Sequence, residues 1–291
     1  MAVCEVHGGV QVALWKQTSF TVILPEKGDG PFPVLYLLHG LSGDHTVWVR
    51  RTSIERYAQD LPLIIVMPDS ARGWYTDSQT CLTAAFETAI VRDLIAYVDR
   101  VFHTVPGRAG RAIAGLSMGG YGALKLAFKH PHLFCAAGCH SGALILDELR
   151  SIGPEWAREF ELIFGPQAAG GPEDVLTLAE RLDPSEAPAV WMDIGLEDGF
   201  LEMNRRVHAD FQSIGLAHEY HEWPGGHACV SSRGSRTMGN ESFVSSIQAR
   251  RTMTDRQSII HPMDRMNTDQ NPSGTSQALS TSGSVRERLP P

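Results

Sequence analysis

The chain has 291 residues, of which 43% are hydrophobic and 20% are charged, and its formal net charge is -8. This length is enough for one large α/β domain with a sizeable core. No basic stretch is present that could neutralise phosphates, so neither nucleic acid nor an anionic membrane surface is expected as a partner.

Targeting and redox features of the sequence are few. Residues 1–24 lack the pattern of a secretory signal, and no run approaches the roughly 18 apolar residues that cross a bilayer. We therefore expect a cytoplasmic protein. The five cysteines are scattered without a C-x-x-C motif, which predicts neither a disulfide framework nor a zinc site.

The chain begins with a predicted hairpin, whose strands lie at residues 10–14 and 19–24. β-like and helical segments then alternate, which is typical of a mostly parallel sheet with helices on both faces. Further strands are predicted at residues 34–38, 63–67, 111–114, 133–138, 190–194 and 217–223. Helices are predicted at residues 52–59, 86–102, 121–130 and 201–214. Residues 142–187 are predicted to be mixed helix and loop, forming a cap over a ligand site.

The helix predicted at residues 86–102 is long and amphipathic. Apolar side chains recur along it at the spacing of one helix face. The residues on that face are Ile90, Leu94, Val98 and Val101. We expect this face to pack on the sheet.

A G-x-S-x-G motif, Gly-Leu-Ser-Met-Gly at residues 115–119, directly follows the predicted strand 111–114 and opens a predicted helix. In this context the motif indicates a nucleophile elbow. In such an elbow a strained turn exposes the serine hydroxyl, and glycines avoid collisions with the neighbouring backbone. Ser117 is therefore the candidate nucleophile.

A serine hydroxyl is a poor nucleophile until an imidazole takes its proton, and the imidazole needs a carboxylate that fixes its tautomer. Asp198 lies in the loop after the predicted strand 190–194 and is the candidate acid. Asp193 and Glu197 are the alternatives. Asp193 falls inside the strand, which makes it the poorer choice.

The candidate base is His227, which comes just after the last predicted strand. Open α/β sheets bind ligands at the carboxyl ends of their strands, and the chain order serine, acid, histidine suits an α/β-hydrolase. His218 and His221 are the alternatives. Both fall inside the predicted strand 217–223, where a side chain packs or faces solvent.

The predicted strand 34–38 ends in His-Gly-Leu-Ser-Gly at residues 39–43. A loop at this place can supply half of an oxyanion hole, in which two backbone N–H groups stabilise the negative oxygen of a tetrahedral intermediate. The candidate donors are the N–H groups of Leu41 and Met118. His39 either is a core residue that braces this loop or has a direct role in the reaction.

Together these motifs resemble the "Putative esterase" family of the α/β-hydrolase superfamily, which includes esterase D-like S-formylglutathione hydrolases, tributyrin-type carboxylesterases, feruloyl esterases and mycolyltransferases. The resemblance covers residues 3–227. It rests on residues 37–43, 67–69, 74–75, 115–120, 195–198 and 225–227. Residues 44–48, Asp-His-Thr-Val-Trp, are more similar to the tributyrin-type branch than to the S-formylglutathione hydrolases.

The resemblance implies an α/β-hydrolase fold and hydrolysis of short-chain acyl esters by a serine carboxylesterase without cofactor or metal. Its partner would be a small-molecule ester. The resemblance also implies that Trp48, Trp74, Tyr75 and Ser141 lie near the substrate pocket. S-formylglutathione, acetylated sugars and feruloylated sugars are alternative substrates. An acyltransferase on the same site and a catalytically inactive binding module are alternative functions.

The chain departs from the family pattern after His227. Residues 231–291 are rich in Ser, Arg, Thr, Met, Gln and Asn and have too few apolar residues to offset the entropy of ordering. We expect an esterase domain at residues 1–230 and a disordered polar tail at residues 231–291. The tail is either natural or the product of a shifted frame or cloning junction. Without a closing helix, an uncovered surface could favour homo-oligomers.

Overall fold

The computed structural model describes residues 1–227, except for the side chains of residues 9–11. The predicted tail at residues 231–291 lies outside this range. Within it, eight strands form one sheet in the order β1-β2-β4-β3-β5-β6-β7-β8. The strands are β1 (Ala2–Gln11), β2 (Lys16–Leu24), β3 (Val34–Leu38), β4 (Ile64–Pro68), β5 (Arg111–Leu116), β6 (Ala136–His140), β7 (Ala189–Gly195) and β8 (Glu219–Trp223).

Only the first two strands make the sheet mixed. β1 pairs antiparallel with β2, and β2 pairs antiparallel with β4. From β4 to β8 each neighbouring pair is parallel. The predicted α/β class with a mostly parallel sheet is confirmed.

Helices cover both faces of the sheet. They are α1 (Val47–Arg51), α2 (Ile54–Ala58), α3 (Phe86–Thr88), α4 (Ile95–Val101), α5 (Met118–Lys129), α6 (Leu146–Arg150), α7 (Pro154–Phe164), α8 (Val175–Arg181) and α9 (Leu201–Ser213). A π-helical segment, Ala89–Leu94, joins α3 to α4. The long helix predicted at residues 86–102 is therefore continuous. Val101 is 51% exposed, so the predicted buried face ends one turn earlier, at Val98.

The central strand β3 shows how the core is divided. Its five residues are all buried, as expected for a parallel strand covered on both faces. Because side chains alternate along a strand, Tyr36 and Leu38 enter a large apolar core that also contains α5. Leu35 and Leu37 enter a second core on the opposite face.

Three predicted elements differ clearly from the structure. The first hairpin strand, predicted at residues 10–14, is β1 at Ala2–Gln11, and Val12–Leu14 form a 3₁₀ helix. The helix predicted at residues 52–59 is shorter, forming α2 (Ile54–Ala58), and the separate helix α1 (Val47–Arg51) precedes it, because Thr52 takes an extended conformation at the end of α1. Its hydroxyl donates to the Trp48 carbonyl and accepts from the Ile54 N–H. The strand predicted at residues 133–138 begins later, because Leu133 belongs to a turn in which its N–H donates to the His130 carbonyl over 2.9 Å.

The cap segment, residues 142–187, consists of α6, α7, α8 and their loops. Phe160 and Phe164 of α7 pack edge-on against Trp74 of the main body, with ring centroids 5.0 and 6.2 Å away. An ion pair between Arg72 and Glu159 adds a polar link of 2.6 Å at the surface. The cap is thus joined to the loop that follows β4.

Candidate active site

Ser117 occupies the sharp turn between β5 and α5. Its backbone has φ 60° and ψ -116°, a region that residues other than glycine rarely adopt. Glycines make the turn possible. A Cβ on Gly115 would lie 2.5 Å from the carbonyl carbon of Gly119, and one on Gly119 would lie 2.4 Å from the Leu38 carbonyl oxygen. The predicted elbow geometry is therefore present, and its close approaches need both glycines.

The hydroxyl of Ser117 lies within hydrogen-bond reach of an imidazole. Its Oγ is 3.0 Å from Nε2 of His227, and Ser117 itself is 8% exposed. The His227 side chain is 40% exposed. Hence the serine points into the protein towards the histidine, while the imidazole is open to solvent on one side.

The other imidazole nitrogen faces a carboxylate. Nδ1 of His227 lies 3.1 and 3.0 Å from the two carboxyl oxygens of Asp198. Burial alone would raise the pKa of Asp198. Hydrogen bonds from His227 and from the Phe200 N–H outweigh it and hold that pKa below its usual range. The acid therefore stays ionised and favours the tautomer of His227 with its proton on Nδ1.

Backbone contacts hold the His227 loop against the loop after β7. The Leu196 N–H donates to the Trp223 carbonyl over 2.7 Å, and the Glu197 N–H donates to the Gly225 carbonyl over 2.8 Å. The ring of Phe200 meets the imidazole of His227 edge-on, with centroids 5.0 Å apart. Phe200 is not among the residues predicted from the sequence, although its position two residues after Asp198 could have indicated it.

The alternative acids have other partners. Asp193 is buried in β7, where its carboxylate lies 2.8 Å from Nδ1 of His140 and accepts from the Trp191 indole N–H over 3.1 Å. Glu197 accepts a hydrogen bond from the backbone N–H of Gly225. Glu197 thus braces the loop that carries the candidate base rather than facing the imidazole.

The alternative bases are also engaged elsewhere. His218 precedes β8, and its Nε2 lies 2.7 Å from Nδ1 of His208 on α9. His221 lies within β8 and stacks on Trp191 with ring centroids 4.2 Å apart. Of the three histidines that the sequence singled out as bases, the structure brings His227 to Ser117.

The oxyanion loop, defined as residues 39–43, lies beside the nucleophile. A Cβ on Gly40 would be 3.5 Å from Cβ of Ser117. His39 is fully buried; its Nε2 accepts the Ser70 N–H over 3.0 Å, so its Nδ1 carries the proton and donates to the Gly40 carbonyl over 2.8 Å. His39 thus braces the loop, one of the two roles that the sequence left open.

The two candidate oxyanion donors belong to different elements. Leu41 follows Gly40 in the oxyanion loop, and Met118 is the first residue of α5. The first N–H groups of a helix have no carbonyl partner within it. The Met118 N–H is therefore one of the amides that can meet a bound oxygen atom.

The residues expected at the pocket are buried. Trp48 lies in the second core, on the sheet face away from α5, and Trp74 packs in the main core. Tyr75 and Ser141 are fully buried. Of these four, Tyr75 and Ser141 are linked to the candidate site: the Tyr75 hydroxyl donates to the His39 carbonyl over 2.8 Å, and the Ser141 hydroxyl helps to lower the pKa of Asp198. A pocket-lining role for the three aromatic residues rests on the resemblance alone.

Within residues 1–227, no group of three or more His, Cys, Asp or Glu side chains is placed to hold a metal ion. Over the same residues, no helix has the length and apolar character needed to cross a bilayer.

Comparison with known proteins identifies the family. The model of the family described as "Putative esterase" matches residues 12–231. The chain belongs to this family. A member named as an esterase, from Mycobacterium tuberculosis strain H37Rv, is 33% identical over 224 residues, 67% of this chain. The chain spans 48% of the length of that relative.

Further comparisons agree with membership of the esterase family. A protein from Caldicellulosiruptor saccharolyticus named acetyl esterase is 26% identical over 234 residues, 74% of this chain and 88% of that protein. An S-formylglutathione hydrolase structure from Staphylococcus aureus superposes with a TM-score of 0.69 at 24% identity, covering 87% of this chain and 96% of that one. At this identity the likeness shows the fold alone, that of the α/β-hydrolases.

Proposed function

We propose that this member of the esterase family is a serine carboxylesterase that hydrolyses short-chain acyl esters. The observation that carries the proposal is the continuous line of contacts from the Ser117 hydroxyl through His227 to the Asp198 carboxylate. A nucleophile, a base and a carboxylate that orients the base are the groups that acyl transfer through serine requires.

In the proposed first step, Oγ of Ser117 attacks the ester carbonyl carbon while Nε2 of His227 takes the hydroxyl proton. The carbonyl oxygen becomes negative, and the N–H groups of Leu41 and Met118 donate to it. Removing one such donor typically costs about 3 kcal/mol of transition-state stabilisation. Collapse of the intermediate breaks the ester C–O bond, and the leaving alcohol takes the proton from His227.

The acyl-enzyme is then hydrolysed by the same groups. His227 takes a proton from water, whose oxygen attacks the acyl carbon, and the carboxylic acid leaves as Ser117 regains its proton. Asp198 stays ionised and stabilises the imidazolium in both steps. Each proton that this scheme moves passes through His227, which takes it from Ser117 or water and gives it to the alcohol or back to Ser117, so the scheme needs no metal or cofactor.

Acetyl esters are the first substrates to test, because one relative of comparable length is named acetyl esterase. S-formylglutathione and feruloyl sugars are alternative substrates for the same triad. An acyltransferase would use the same acyl-enzyme but resolve it with an alcohol. A binding module is disfavoured, since all three triad residue types are in contact.

The test is the hydrolysis of p-nitrophenyl esters from acetyl to dodecanoyl, with the purified protein and with Ser117→Ala. We expect a preference for acetyl to butyryl and loss of nearly all activity in the variant, on the order of 10⁶ in turnover. Faster release of nitrophenol when a sugar alcohol is added would instead favour acyl transfer. Full activity in folded Ser117→Ala would contradict the site.

We also infer that the esterase domain ends near residue 230. The family model, which matches as far as residue 231, supports this boundary. Limited proteolysis of the full chain followed by intact-mass measurement should give a stable fragment ending near residue 230. A resistant fragment that extends far towards residue 291 would contradict the boundary.

A further inference from the structure

Tyr75 connects the main core to the oxyanion loop. Its hydroxyl donates a hydrogen bond of 2.8 Å to the backbone carbonyl of His39, and the side chain is fully buried. Burial and the nearby Asp69 carboxylate raise the pKa of this phenol well above its usual value. The phenol therefore stays a hydrogen-bond donor at every pH at which the protein would work.

This hydrogen bond fixes one of two consecutive peptide planes. In a planar trans peptide the carbonyl oxygen and the following N–H point in opposite directions, so Tyr75 sets the plane between His39 and Gly40. The next peptide plane lies between Gly40 and Leu41 and is held at the Gly40 carbonyl. The oxygen of Gly40 accepts from Nδ1 of His39 over 2.8 Å and from the Gly43 N–H over 3.0 Å. The opposite edge of that plane is the Leu41 N–H, the proposed oxyanion donor.

The backbone of Tyr75 is itself held in a rare conformation. Trp74 and Tyr75 have φ values of 51° and 54°, the left-handed region that side-chain-bearing residues seldom adopt. The Tyr75 N–H donates to the Ser70 hydroxyl over 3.2 Å. The ring lies against Gly122 of α5, where an added Cβ would come within 2.4 Å of the ring.

The buried ammonium group of Lys125 also binds the backbone of Tyr75. Lys125 is fully buried, and its Nζ donates to the Tyr75 carbonyl over 2.6 Å and to Glu87 over 2.6 Å. It also pairs with Glu173 at 3.1 Å. An ammonium group has three protons; two are donated in these hydrogen bonds, and the Glu173 carboxylate adds a second ion pair. Burying a charge is costly unless it is paired. The buried Lys125 ammonium holds the carbonyl of Tyr75, whose backbone is strained, beside the proposed site.

We propose that Tyr75 is a positioning residue, whose hydroxyl orients the oxyanion loop so that the Leu41 N–H meets the developing negative oxygen. The inference rests on the proposed esterase function, but the order that the Tyr75 hydroxyl imposes on the oxyanion loop is a separate property of the fold. Tyr75 does not touch substrate in this scheme. It acts through the His39 carbonyl.

The test variant is Tyr75→Phe, which removes the hydroxyl and keeps the ring. The matched control is Tyr121→Phe, because Tyr121 is also fully buried and donates over 2.7 Å to a backbone carbonyl, that of Glu173 on the cap segment. Both variants lose one buried hydrogen bond. Only the first loses a bond to the oxyanion loop.

The first measurement is amide hydrogen exchange, which needs no substrate. In Tyr75→Phe we expect exchange at Gly40 and Leu41 to rise at least 10-fold, with no comparable rise at these residues in Tyr121→Phe. Unchanged exchange at the loop, or the same rise in both variants, would overturn the proposal. If exchange at the loop rises in Tyr75→Phe but the wild-type protein cleaves no ester, the proposed function is wrong and the loop-ordering role stands.

The second measurement compares binding of a trifluoromethyl ketone analogue of the best ester, whose serine adduct carries an oxyanion, with binding of the carboxylate product. For Tyr75→Phe we expect kcat and analogue affinity to fall together by about 5- to 30-fold, less than the loss of a whole donor. KM and product affinity should stay within 2-fold of the wild-type values. Equal losses in analogue and product affinity would show general disruption of the pocket and overturn the positioning role.

Discussion

Nε2 of His227 lies 3.0 Å from Oγ of Ser117, although the two residues are 110 positions apart in the chain. The parallel sheet produces this contact. Ser117 follows β5 and His227 lies beyond β8, and both strands run in the same direction, so their carboxyl ends share one edge. Backbone bonds between the loops after β7 and β8 then fix the histidine. The candidate site therefore depends on the sheet edge as a whole.

The strained backbone of Ser117 predicts an effect on stability. Ser117→Ala and Ser117→Gly both lose the hydroxyl, so neither should hydrolyse esters. Glycine adopts φ 60° and ψ -116° more easily than alanine, and such strain costs on the order of 1–3 kcal/mol. We expect Ser117→Gly to be more stable than Ser117→Ala by about 1 kcal/mol in urea unfolding. An alanine variant of equal or greater stability would contradict strain at the elbow.

Asp198 should contribute to the rate of the reaction, whereas Asp193 should contribute to the stability of the fold. Asp198→Asn keeps the shape of the side chain and an oxygen for the Phe200 N–H, but loses the charge that orients His227. We expect kcat to fall about 10⁴-fold with the fold retained, as for the acid of other serine triads.

Asp193→Asn is the matched control, because Asp193 is equally buried and also contacts a histidine, His140. It should lower the free energy of unfolding by about 1–3 kcal/mol and change kcat less than 10-fold. Kinetics with an acetyl ester and urea unfolding of both variants separate the two roles. A larger kcat loss in Asp193→Asn would reverse the assignment of the acid.

Much of this site could be predicted because its signals are local. The glycines around Ser117 are required by backbone contacts of less than 3 Å, and Asp198 and His227 follow apolar strands directly. The bracing role of His39 could not be decided from the sequence, because its partner Ser70 lies 31 positions away. Trp48 looked suited to a pocket beside its loop. Its indole packs in the second core, which could not be foreseen because nothing in the sequence shows which sheet face its short helix covers; its pocket role stays a prediction.

The role of Tyr75 could not be predicted for a different reason. The hydrogen bond to His39 requires left-handed conformations at two successive aromatic residues, and no local pattern predicts those. The conformation is held by Lys125, which is 50 positions away in the chain. The one sequence signal was Lys125 itself, a lysine placed between apolar residues of α5.

Substitution of Gly119 tests how closely α5 must approach β3. In Gly119→Ala the new Cβ would lie 2.4 Å from the Leu38 carbonyl oxygen and 2.8 Å from that of His39, and backbone atoms cannot easily move. We expect a loss of about 2–4 kcal/mol in the free energy of unfolding. Activity should also fall, because α5 carries Met118.

The control for this substitution is Gly153→Ala. A Cβ on Gly153 would have no neighbour within 4 Å, and its φ of 177° is open to any residue. It should cost less than about 1 kcal/mol, the usual effect of alanine at the start of a helix. Equal destabilisation of the two variants in thermal and urea unfolding would show that the approach of α5 to β3 is not the constraint.

The buried ion network around Glu87 predicts a dependence of stability on pH. Burial alone would raise the pKa of Glu87. The charge of Lys125, hydrogen bonds from His130 and Lys125, and Lys129 outweigh burial and lower that pKa well below its ordinary value. Because the folded-state pKa is the lower one, ionised Glu87 stabilises the fold above the unfolded-state pKa of about 4.3. This stability is lost as the pH falls below that value.

Glu87→Gln removes this titration. The variant should be less stable than the wild type at pH 7, and the difference in unfolding free energy should shrink as the pH is lowered from 5 to 3. Urea unfolding at several pH values measures it. Glu180→Gln, at an exposed position of α8, is the control and should follow the wild type at each pH. A difference between Glu87→Gln and wild type that stays constant, or grows in acid, would show that the Glu87 carboxylate is not held ionised by Lys125.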